Sequence, residues 1–443
     1  HFPEIDSLMF AIRTPLRVGP VHRCLRRFQR RRVHGVHIPQ QRLNEFLWSD
    51  VCYLADQGAT PLSLCQVLAA TPRQVAELAN RELPIRFAKR IRQIEEIPDW
   101  RESQDLVKLR YLYFQSFSDL RLIDLQTSED GDMKTLTDAV TRAKQRLQGA
   151  VPLLMEAVLE LREKGLAIPE SVLEPWLDRF LLSRIGTEML TSHYVASMEG
   201  GSIVVKNCDP AIICSRAAER ARWLCMEHYR RAGDTVHIKV ETLPSANTAE
   251  GRLSFTYVPK YLYYMVLELL KNSARATIET ASNQAEIESR PIVCTVSANS
   301  GQVAIRIQDL AGGIPFEVAD RVWSYTYSTA DTRSDAWEHQ GTPLAGYGVG
   351  LPLSRLYAQY LGGSLHLMSM PGEGTTAFLH LKRLRQDARE QLPFWQGEAQ
   401  KCALIDNSGK LESQFCNSCQ FRGSCSELSS SPASPGRANE NAG

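Results

Sequence analysis

A glutamate and an asparagine four residues apart are the side chains in this sequence best suited to phosphate chemistry. They lie in the segment ELLKNSARA, where Glu268 and Asn272 fall on one face of a predicted helix. An asparagine oxygen can bind a Mg²⁺ ion that carries nucleotide phosphates, and a carboxylate one turn away can orient or deprotonate an attacking hydroxyl. The spacing also suits an ordinary helix face, on which Glu268 would pair with Lys271 or Arg275.

Two glycine-containing segments downstream extend this prediction to a whole nucleotide. Asp309 follows an alternating run, Val303 to Gln308, that predicts a strand, and the segment LAGGIP comes directly after it. A carboxylate there can accept a hydrogen bond from a purine amine, and glycines such as Gly313 let the backbone approach the ring. Farther on, GYGVGLP begins at Gly346 and leads into a predicted helix, Leu353 to Leu361, whose first N–H groups would face an anion. Together the three segments predict an ATP site.

The three segments resemble the N, G1 and G2 boxes of the GHKL ATP-binding fold. The surrounding sequence resembles the family of mitochondrial pyruvate dehydrogenase kinases and branched-chain 2-oxoacid dehydrogenase kinases, from about Arg81 to Leu384. The segments that carry the resemblance are RELPIR at 81–86, LDRFLLSR at 177–184, YVP at 257–259, YSTA at 327–330, SRLYA at 354–358 and SMPGEGT at 369–375. Three of them, YVP, YST and LYA, favour the pyruvate branch, whereas LGGSL at 361–365 is more similar to the branched-chain branch.

The resemblance implies a role for each matching position. Glu268 would be the catalytic carboxylate, Asn272 the Mg²⁺ ligand and Asp309 the group that binds adenine. The other ATP-binding positions would be Lys271, Arg275, Gly313, Ser328, Thr329, Gly346, Tyr347, Gly348, Val349, Gly350, Leu351 and Thr375. A K⁺ ion would be held by backbone carbonyls of Val322, Ser324, Tyr327 and Gly348.

The chain departs from the family pattern at two positions. The pyruvate branch has a histidine four residues before the catalytic glutamate, where this chain has Tyr264, which can bond Glu268 but does not become a cation near neutral pH. Ala311 replaces a family glycine, and at positive φ its Cβ would cost on the order of 1 kcal/mol. We therefore expect the turn at Ala311 either to adopt an angle that alanine tolerates or to bear mild strain, and activity to be reduced at most.

Other functional classes compete with a protein kinase. A histidine-kinase-like sensor requires a phosphoacceptor histidine followed by an acidic residue, but His193 is followed by Tyr194, which favours a structural or regulatory role. A non-catalytic ATP-binding scaffold is favoured by Tyr264 and Ala311. The sequence lacks the Walker A pattern and the HRD and DFG triplets. We predict a protein serine kinase that uses MgATP to phosphorylate and inactivate the E1α subunit of the mitochondrial pyruvate dehydrogenase complex. The corresponding branched-chain kinase is the alternative.

Composition is consistent with a reducing compartment and more than one domain. The chain has 443 residues, 43% of them hydrophobic, and a net charge of +1, so no general attraction to nucleic acid is implied. Eleven cysteines, an odd number, argue against a disulfide framework. No apolar stretch approaches the roughly 18 residues of a membrane span. Residues 1–36 are rich in arginine and poor in acidic residues, which predicts a mitochondrial targeting segment and the matrix, the alternative being a basic arm for nucleic acid or anionic lipid.

The predicted fold class is α+β, with an N-terminal antiparallel helical bundle at 37–198 and a GHKL-type α/β sandwich at 199–385. Helical periodicity predicts helices at Leu83–Ile94, Leu106–Phe117, Met133–Lys164 and Ser171–Ser197. In the family the bundle docks the lipoyl-bearing E2 subunit. Leu43, Phe46 and Leu47 are either the start of that surface or ordinary core residues. The resemblance also implies a homodimer formed through the sheet.

The second half should begin with a linker at Glu199–Asp209. A helix at Pro210–Arg230 and strands at Thr235–Glu241, Arg252–Val258, Ile292–Val296 and Val303–Gln308 should follow. The polar stretch Asp331–Leu344, with Trp337, is predicted to be an ATP lid. In the tail, 386–443, four cysteines (Cys402, Cys416, Cys419 and Cys425) suit either a Zn²⁺ knuckle or free thiols.

Overall fold

The computed structural model describes residues 39–123, 131–165, 168–229, 236–243, 253–325, 327, 348–383 and 389–393. The predicted targeting segment, the predicted lid with Trp337 and the four cysteines of the tail lie outside these residues. All described residues belong to one compact unit.

The first half of the described chain is helical. Its helices are α1 (Gln40–Ala55), α2 (Leu64–Ala69), α3 (Pro72–Glu95), α4 (Gln104–Arg121), α5 (Gly131–Arg146), α6 (Ala150–Glu163) and α7 (Glu170–Met198). Local sequence explains where they begin: Thr71 and Gln74 form a reciprocal capping box before α3, and Ser103 accepts a hydrogen bond from the Leu106 amide at the start of α4. Helix α3 packs against α1, α4 and α7, so the core of this half lies along it.

Three of the four predicted bundle helices are confirmed, but the single helix predicted over Met133–Lys164 is wrong. The chain breaks at Leu147–Gly149, and α6 begins at Ala150. Pro152 explains the break. It has no N–H and would clash with a carbonyl one turn earlier inside a long helix, whereas the first turn of α6 tolerates it.

The second half contains the strands. In chain order these elements are β1 (Val205–Cys208), α8 (Pro210–Tyr229), β2 (Ile238–Thr242), β3 (Phe255–Tyr257), α9 (Pro259–Thr280), α10 (Gln284–Ser289), β4 (Ile292–Ala298), β5 (Gln302–Gln308), a 3₁₀ helix (Phe316–Trp323), α11 (Gly350–Tyr360), β6 (Ser364–Met370) and β7 (Gly374–Lys382). Strands β2-β4-β5-β7-β6 form a mixed sheet in which β2 and β4 are parallel and the other neighbours antiparallel. The predicted α+β class is confirmed.

The sheet buries one set of alternating side chains beneath helices. Val303, Ile305 and Ile307 of β5 are buried, while Gln302 and Arg306 are exposed. Helices α8, α9 and α11 pack against the strands. This arrangement holds α9 over β5, so polar groups on that helix can reach the end of the strand.

Some sequence predictions of this half need correction. The predicted linker Glu199–Asp209 contains β1, which pairs with β3 in a separate two-stranded ribbon. Strands β6 and β7 were not predicted, although Leu365 and Leu367 in β6 and the buried Leu379 and Leu381 in β7 alternate with more polar residues. No helix in the described part of the chain is long and hydrophobic enough to cross a bilayer.

Candidate functional site

Helix α9 carries the predicted catalytic carboxylate and the predicted Mg²⁺ ligand on adjoining turns. Proline at its first position suits the start of a helix, and its apolar residues face the core. Glu268, Lys271 and Ser273 are buried, whereas Asn272 is exposed. One helix therefore presents an accessible carboxamide beside a protected carboxylate.

Glu268 lies between a lysine and the start of a second helix. The Lys271 ammonium donates to Glu268 Oε1 at 2.9 Å, and both side chains are buried. A Cβ built on Gly350 would lie 2.4 Å from Glu268 Oε2, so only glycine allows this approach. The ion pair foreseen by the alternative interpretation of Glu268 is present, but it lies in the interior against the glycine that begins α11.

Asp309 lies just past β5 and is tied to α9. Its Oδ2 accepts from the Ser273 hydroxyl at 2.7 Å, and its Oδ1 accepts from the amides of Ala311 at 3.2 Å and Thr375 at 3.1 Å. Burial raises the pKa of the Asp309 carboxyl, and these hydrogen bonds oppose the shift. Oδ1 is engaged by two amides, whereas Oδ2 accepts once and keeps acceptor capacity for an exocyclic amine. Ser273 directly follows Asn272 in the sequence. The hydrogen bond from Ser273 therefore holds the predicted base-binding residue, Asp309, close to the predicted metal ligand, Asn272.

The turn after Asp309 depends on glycine at specific points. Gly313 has φ of 72°, and its Cβ would lie 2.2 Å from the Met370 carbonyl oxygen. A Cβ on Gly374 would lie 2.1 Å from the carbonyl oxygen of Asp309. Among the described residues Asp99 alone has positive φ without being glycine, so the expectation that Ala311 adopts a tolerated angle is confirmed.

Two of these contributing residues escaped sequence reasoning. Gly374 lay within SMPGEGT, but its close approach to Asp309 depends on the pairing of β5 with β7. Ser273 lay within the first motif, and its signal was a polar residue on the inward face of an otherwise apolar helix.

Two of the four predicted K⁺ ligands, Tyr327 and Gly348, lie next to each other. A Cβ on Gly348, which has φ of 74°, would lie 2.4 Å from the Tyr327 carbonyl oxygen, so two of the four positions are adjacent. Val322 lies in the 3₁₀ helix, and Ser324 follows it directly. Potassium binding itself stays a prediction.

The remaining predicted positions divide into three groups. Val349 and Leu351 flank the first residue of α11. Arg275 donates to Glu279 at 2.9 Å, and its phosphate-side role stays a prediction. Ser328, Thr329, Gly346 and Tyr347 lie outside the described residues.

The environments of Tyr264 and His193 bear on the competing interpretations of the protein as a scaffold or a histidine-kinase-like sensor. The ring of Tyr264 packs on that of Tyr357 at 5.0 Å, and burial together with the nearby Glu268 charge raises the pKa of the Tyr264 phenol. The phenol therefore stays neutral. His193 is 3% exposed, its Nε2 lies 3.2 Å from the Val67 carbonyl oxygen, and burial lowers its pKa. A histidine enclosed in this way has a structural environment rather than that of an accessible phosphoacceptor.

The three residues at the predicted docking surface do not share one environment. Leu47 is buried, Leu43 is half-buried and packs on the core, and Phe46 is exposed. Leu47 is thus a core residue, and Phe46 is the one available to a partner.

Comparison with known proteins agrees with the geometry. Residues 61–207 match the family described as mitochondrial branched-chain alpha-ketoacid dehydrogenase kinase, and residues 257–385 match the histidine kinase-, DNA gyrase B- and HSP90-like ATPase family. The chain is 32% identical to mitochondrial pyruvate dehydrogenase (acetyl-transferring) kinase isozyme 4 of Homo sapiens, over 80% of this chain and 88% of that relative. It is 33% identical to isozyme 3 of Homo sapiens (77% and 87%) and 32% identical to isozyme 1 of Mus musculus (79% and 83%). The chain therefore belongs to the mitochondrial pyruvate dehydrogenase kinase family and contains its GHKL-type ATPase fold.

Proposed function

We propose that this protein is a serine kinase that uses MgATP to phosphorylate and inactivate the E1α subunit of the mitochondrial pyruvate dehydrogenase complex. The observation that carries the proposal is the convergence on α9: Gly350 meets Glu268, and Asp309 bonds Ser273. Relatives over most of the chain are named as pyruvate dehydrogenase kinases. The geometry supplies the parts that such a transfer needs.

The residues divide the work between binding and chemistry. Asp309 accepts from the adenine amine, and the backbone N–H groups at the start of α11 face the phosphates. Glu268 orients the substrate hydroxyl and accepts its proton as the hydroxyl oxygen bonds to the γ-phosphorus and ADP leaves. A Mg²⁺ ion held by Asn272 and the phosphates would neutralise charge on the transferring group.

The neighbours of Glu268 fit a carboxylate that must remain an acceptor. Lys271 donates to Oε1 at 2.9 Å and leaves the second oxygen, Oε2, on the side of α11. Tyr264 is neutral, so it offers a hydrogen-bonding group without a second positive charge. We propose that Lys271 also moves toward the nucleotide phosphates when they bind.

The pyruvate complex is the preferred target because the relatives that cover most of the chain bear that name. The match of residues 61–207 to the branched-chain family favours the branched-chain E1α as the second candidate. The proposal extends to a lipoyl-bearing E2 partner, a homodimer, a matrix location and a K⁺ ion near Tyr327 and Gly348. The exposed Phe46 is a candidate contact for the lipoyl-bearing partner.

One transfer assay tests the proposal. The purified protein receives ATP labelled at the γ-phosphate together with the pyruvate or the branched-chain E1 complex. Acid-stable label on serine of one E1α supports the kinase and identifies its target. Acid-labile label on the protein itself would support the histidine-kinase-like sensor, and nucleotide binding without transfer would support the scaffold.

Two asparagine variants test whether phosphate transfer depends on the proposed Mg²⁺ ligand. Asn272→Ala should abolish transfer, whereas Asn283→Ala, at the N-terminal cap of α10, removes the same carboxamide where no ion is proposed. Equal activity in the two variants would contradict the assignment of Asn272.

A further inference from the structure

A short segment beyond the sheet, Arg389–Pro393, lies against the helix-rich half; we call it the strap. Arg389 forms a bridge with Ser63, and the Glu390 amide donates to the Leu62 carbonyl at 3.0 Å. The Leu62 amide donates in return to Glu390 Oε1 at 2.9 Å. The strap is thus hydrogen-bonded to the loop that precedes α2.

The Glu390 side chain joins three separate elements. It is fully buried and pairs with the Arg86 guanidinium of α3, whose Nη1 donates to Oε2 at 3.3 Å. The hydroxyl of Tyr360, the last residue of α11, donates to the same Oε2 at 2.5 Å. The Gln391 amide also donates to the Tyr360 carbonyl at 2.9 Å. One carboxylate therefore fixes the end of α11 to the helix-rich half.

The other end of α11 is the one that meets Glu268. Between the two ends runs a row of packed rings from α9 and α11. Ring centroids are 6.2 Å apart for Tyr360 and Tyr261, 4.8 Å for Tyr261 and Tyr357, and 5.0 Å for Tyr357 and Tyr264. Tyr264 precedes Glu268 by one helical turn. Packed side chains thus connect the strap carboxylate to the candidate catalytic carboxylate.

We propose that Glu390 is a positioning residue for Glu268, acting through Tyr360 and helix α11. The inference rests on the proposed function, because it assigns Glu268 to the transfer step. A rigid helix held at Tyr360 cannot shift at Gly350 without moving the tyrosine row. Asp309 is held by β7 and α9, not by the strap, so loss of the strap contact should lower turnover without weakening the binding of the adenine base.

Tyr360→Phe is the first test, because it removes the hydroxyl that reaches Glu390 and keeps the ring. We expect kcat to fall on the order of threefold to thirtyfold, the range seen when distant members of a packed network are altered. The dissociation constant for adenosine, which has the base that Asp309 would bind but no phosphates, should stay within about twofold. Ser103→Ala is the matched control, since it removes a buried hydroxyl that bonds Glu160 and should lower the melting temperature without changing kcat.

Gly186→Ala is a second variant that pushes on the strap sterically. Its Cβ would lie 2.9 Å from Leu392 Cδ2 and 3.1 Å from Glu390 Oε2. It should lower kcat in the same way as Tyr360→Phe. If both variants lower the melting temperature as Ser103→Ala does but leave kcat per folded molecule within twofold, the proposal is overturned.

Hydrogen exchange separates this inference from the proposed function. Tyr360→Phe should increase amide exchange in the first turn of α11 and around Glu268, whether or not the unmodified protein transfers phosphate. Absence of transfer by the unmodified protein contradicts the proposed kinase. Exchange that increases only at the strap and Tyr360 contradicts the positioning role.

Discussion

Two buried carboxylates, each paired with a cation and each approached by a glycine, differ in what surrounds them. Glu268 pairs with Lys271 beneath Gly350, near the sheet. Glu390 pairs with Arg86 beneath Gly186, in the helix-rich half. Burial of a charged pair is therefore no indication of chemistry by itself.

The difference lies in how many partners the oxygens have. Glu390 accepts from Leu62, Arg86 and Tyr360, so its oxygens are engaged by groups from three elements. Glu268 accepts from Lys271, and its second oxygen faces the start of α11, one turn from the exposed Asn272. A carboxylate whose oxygens already accept several hydrogen bonds stabilises the fold. A carboxylate with an oxygen free to accept, next to an exposed metal-binding side chain, can bind and deprotonate a substrate hydroxyl.

The largest effect should come from Glu268→Gln. The amide keeps the shape but cannot accept a proton, so kcat should fall about 10²- to 10⁴-fold, the usual contribution of general acid–base catalysis. Transfer of labelled phosphate to E1α measures it. Glu286→Gln, on α10, is the control and should retain full activity. If Glu268→Gln keeps more than a tenth of kcat, Glu268 is not the catalytic carboxylate, and its pair with Lys271 is structural like that of Glu390 with Arg86.

Arg86→Met should have the largest effect on stability. It leaves Glu390 buried without its cation, which costs about 3–5 kcal/mol of the free energy of unfolding. Urea unfolding measures the change. Arg73→Met breaks an exposed pair with Glu77 and should cost less than about 1 kcal/mol. Similar losses in both variants would show that burial of the Arg86 pair has no energetic weight.

Gly350→Ala tests the approach of α11 to Glu268. The added methyl must displace the carboxylate. If overpacking of about 1–3 kcal/mol falls on the transfer step, kcat should drop roughly fivefold to 150-fold. Gly301→Ala is the matched control. The Cβ added at this position would have its nearest contact 3.6 Å away, so kcat should be normal. Full activity in Gly350→Ala would mean that Glu268 does not need this contact.

Nucleotide affinity should depend on pH through Asp309. Its raised pKa means that the carboxyl becomes protonated as the pH falls through that value, and ATP affinity should then drop on the order of fivefold as a charged acceptor becomes neutral. The free energy of unfolding should depend on pH in the opposite direction to ATP affinity. Because the folded protein raises the pKa of Asp309, this group stabilises the fold fully below the unfolded carboxyl pKa, and the stabilisation is lost as the pH rises through the folded pKa. Titration calorimetry over this range, with Asp309→Asn expected to be independent of pH, checks the assignment.

Arg275→Gln should have the smallest effect. Its pair with Glu279 is partly exposed, so the free energy of unfolding should change by about 0.3–0.5 kcal/mol. If the side chain also serves the phosphates, ATP affinity should fall about threefold, since a screened cation contributes less than about 1 kcal/mol. Unchanged affinity would contradict a role of Arg275 in phosphate binding.

The sequence predicted which candidate residues lie together better than it predicted the sheet. Glu268, Asn272 and Asp309 could be selected as candidates because the proposed chemistry depends on spacing within one helix or at one strand end. Gly374 and Ser273 were missed because their roles arise from contact between elements distant in sequence. Pairing of β5 with β7 places Gly374 under Asp309, and no local pattern encodes that pairing.

The strap was beyond sequence reasoning for a related reason. A single glutamate after the last strand has no periodicity and no motif that indicates burial. Its environment comes from Arg86 and Tyr360, which lie 304 and 30 positions away. Helix boundaries such as Gly149 were misjudged for a different reason, since apolar periodicity continued across Pro152.

The separation between Arg86 and Glu390 has a consequence for biosynthesis. At roughly 5–20 residues per second, a ribosome makes the acidic partner about 15 to 60 s after the basic one. Over that interval the nascent helices carry the Arg86 guanidinium without its Glu390 partner. The salt bridge that completes this part of the helix-rich interior can therefore form only after the whole nucleotide-binding half has been made.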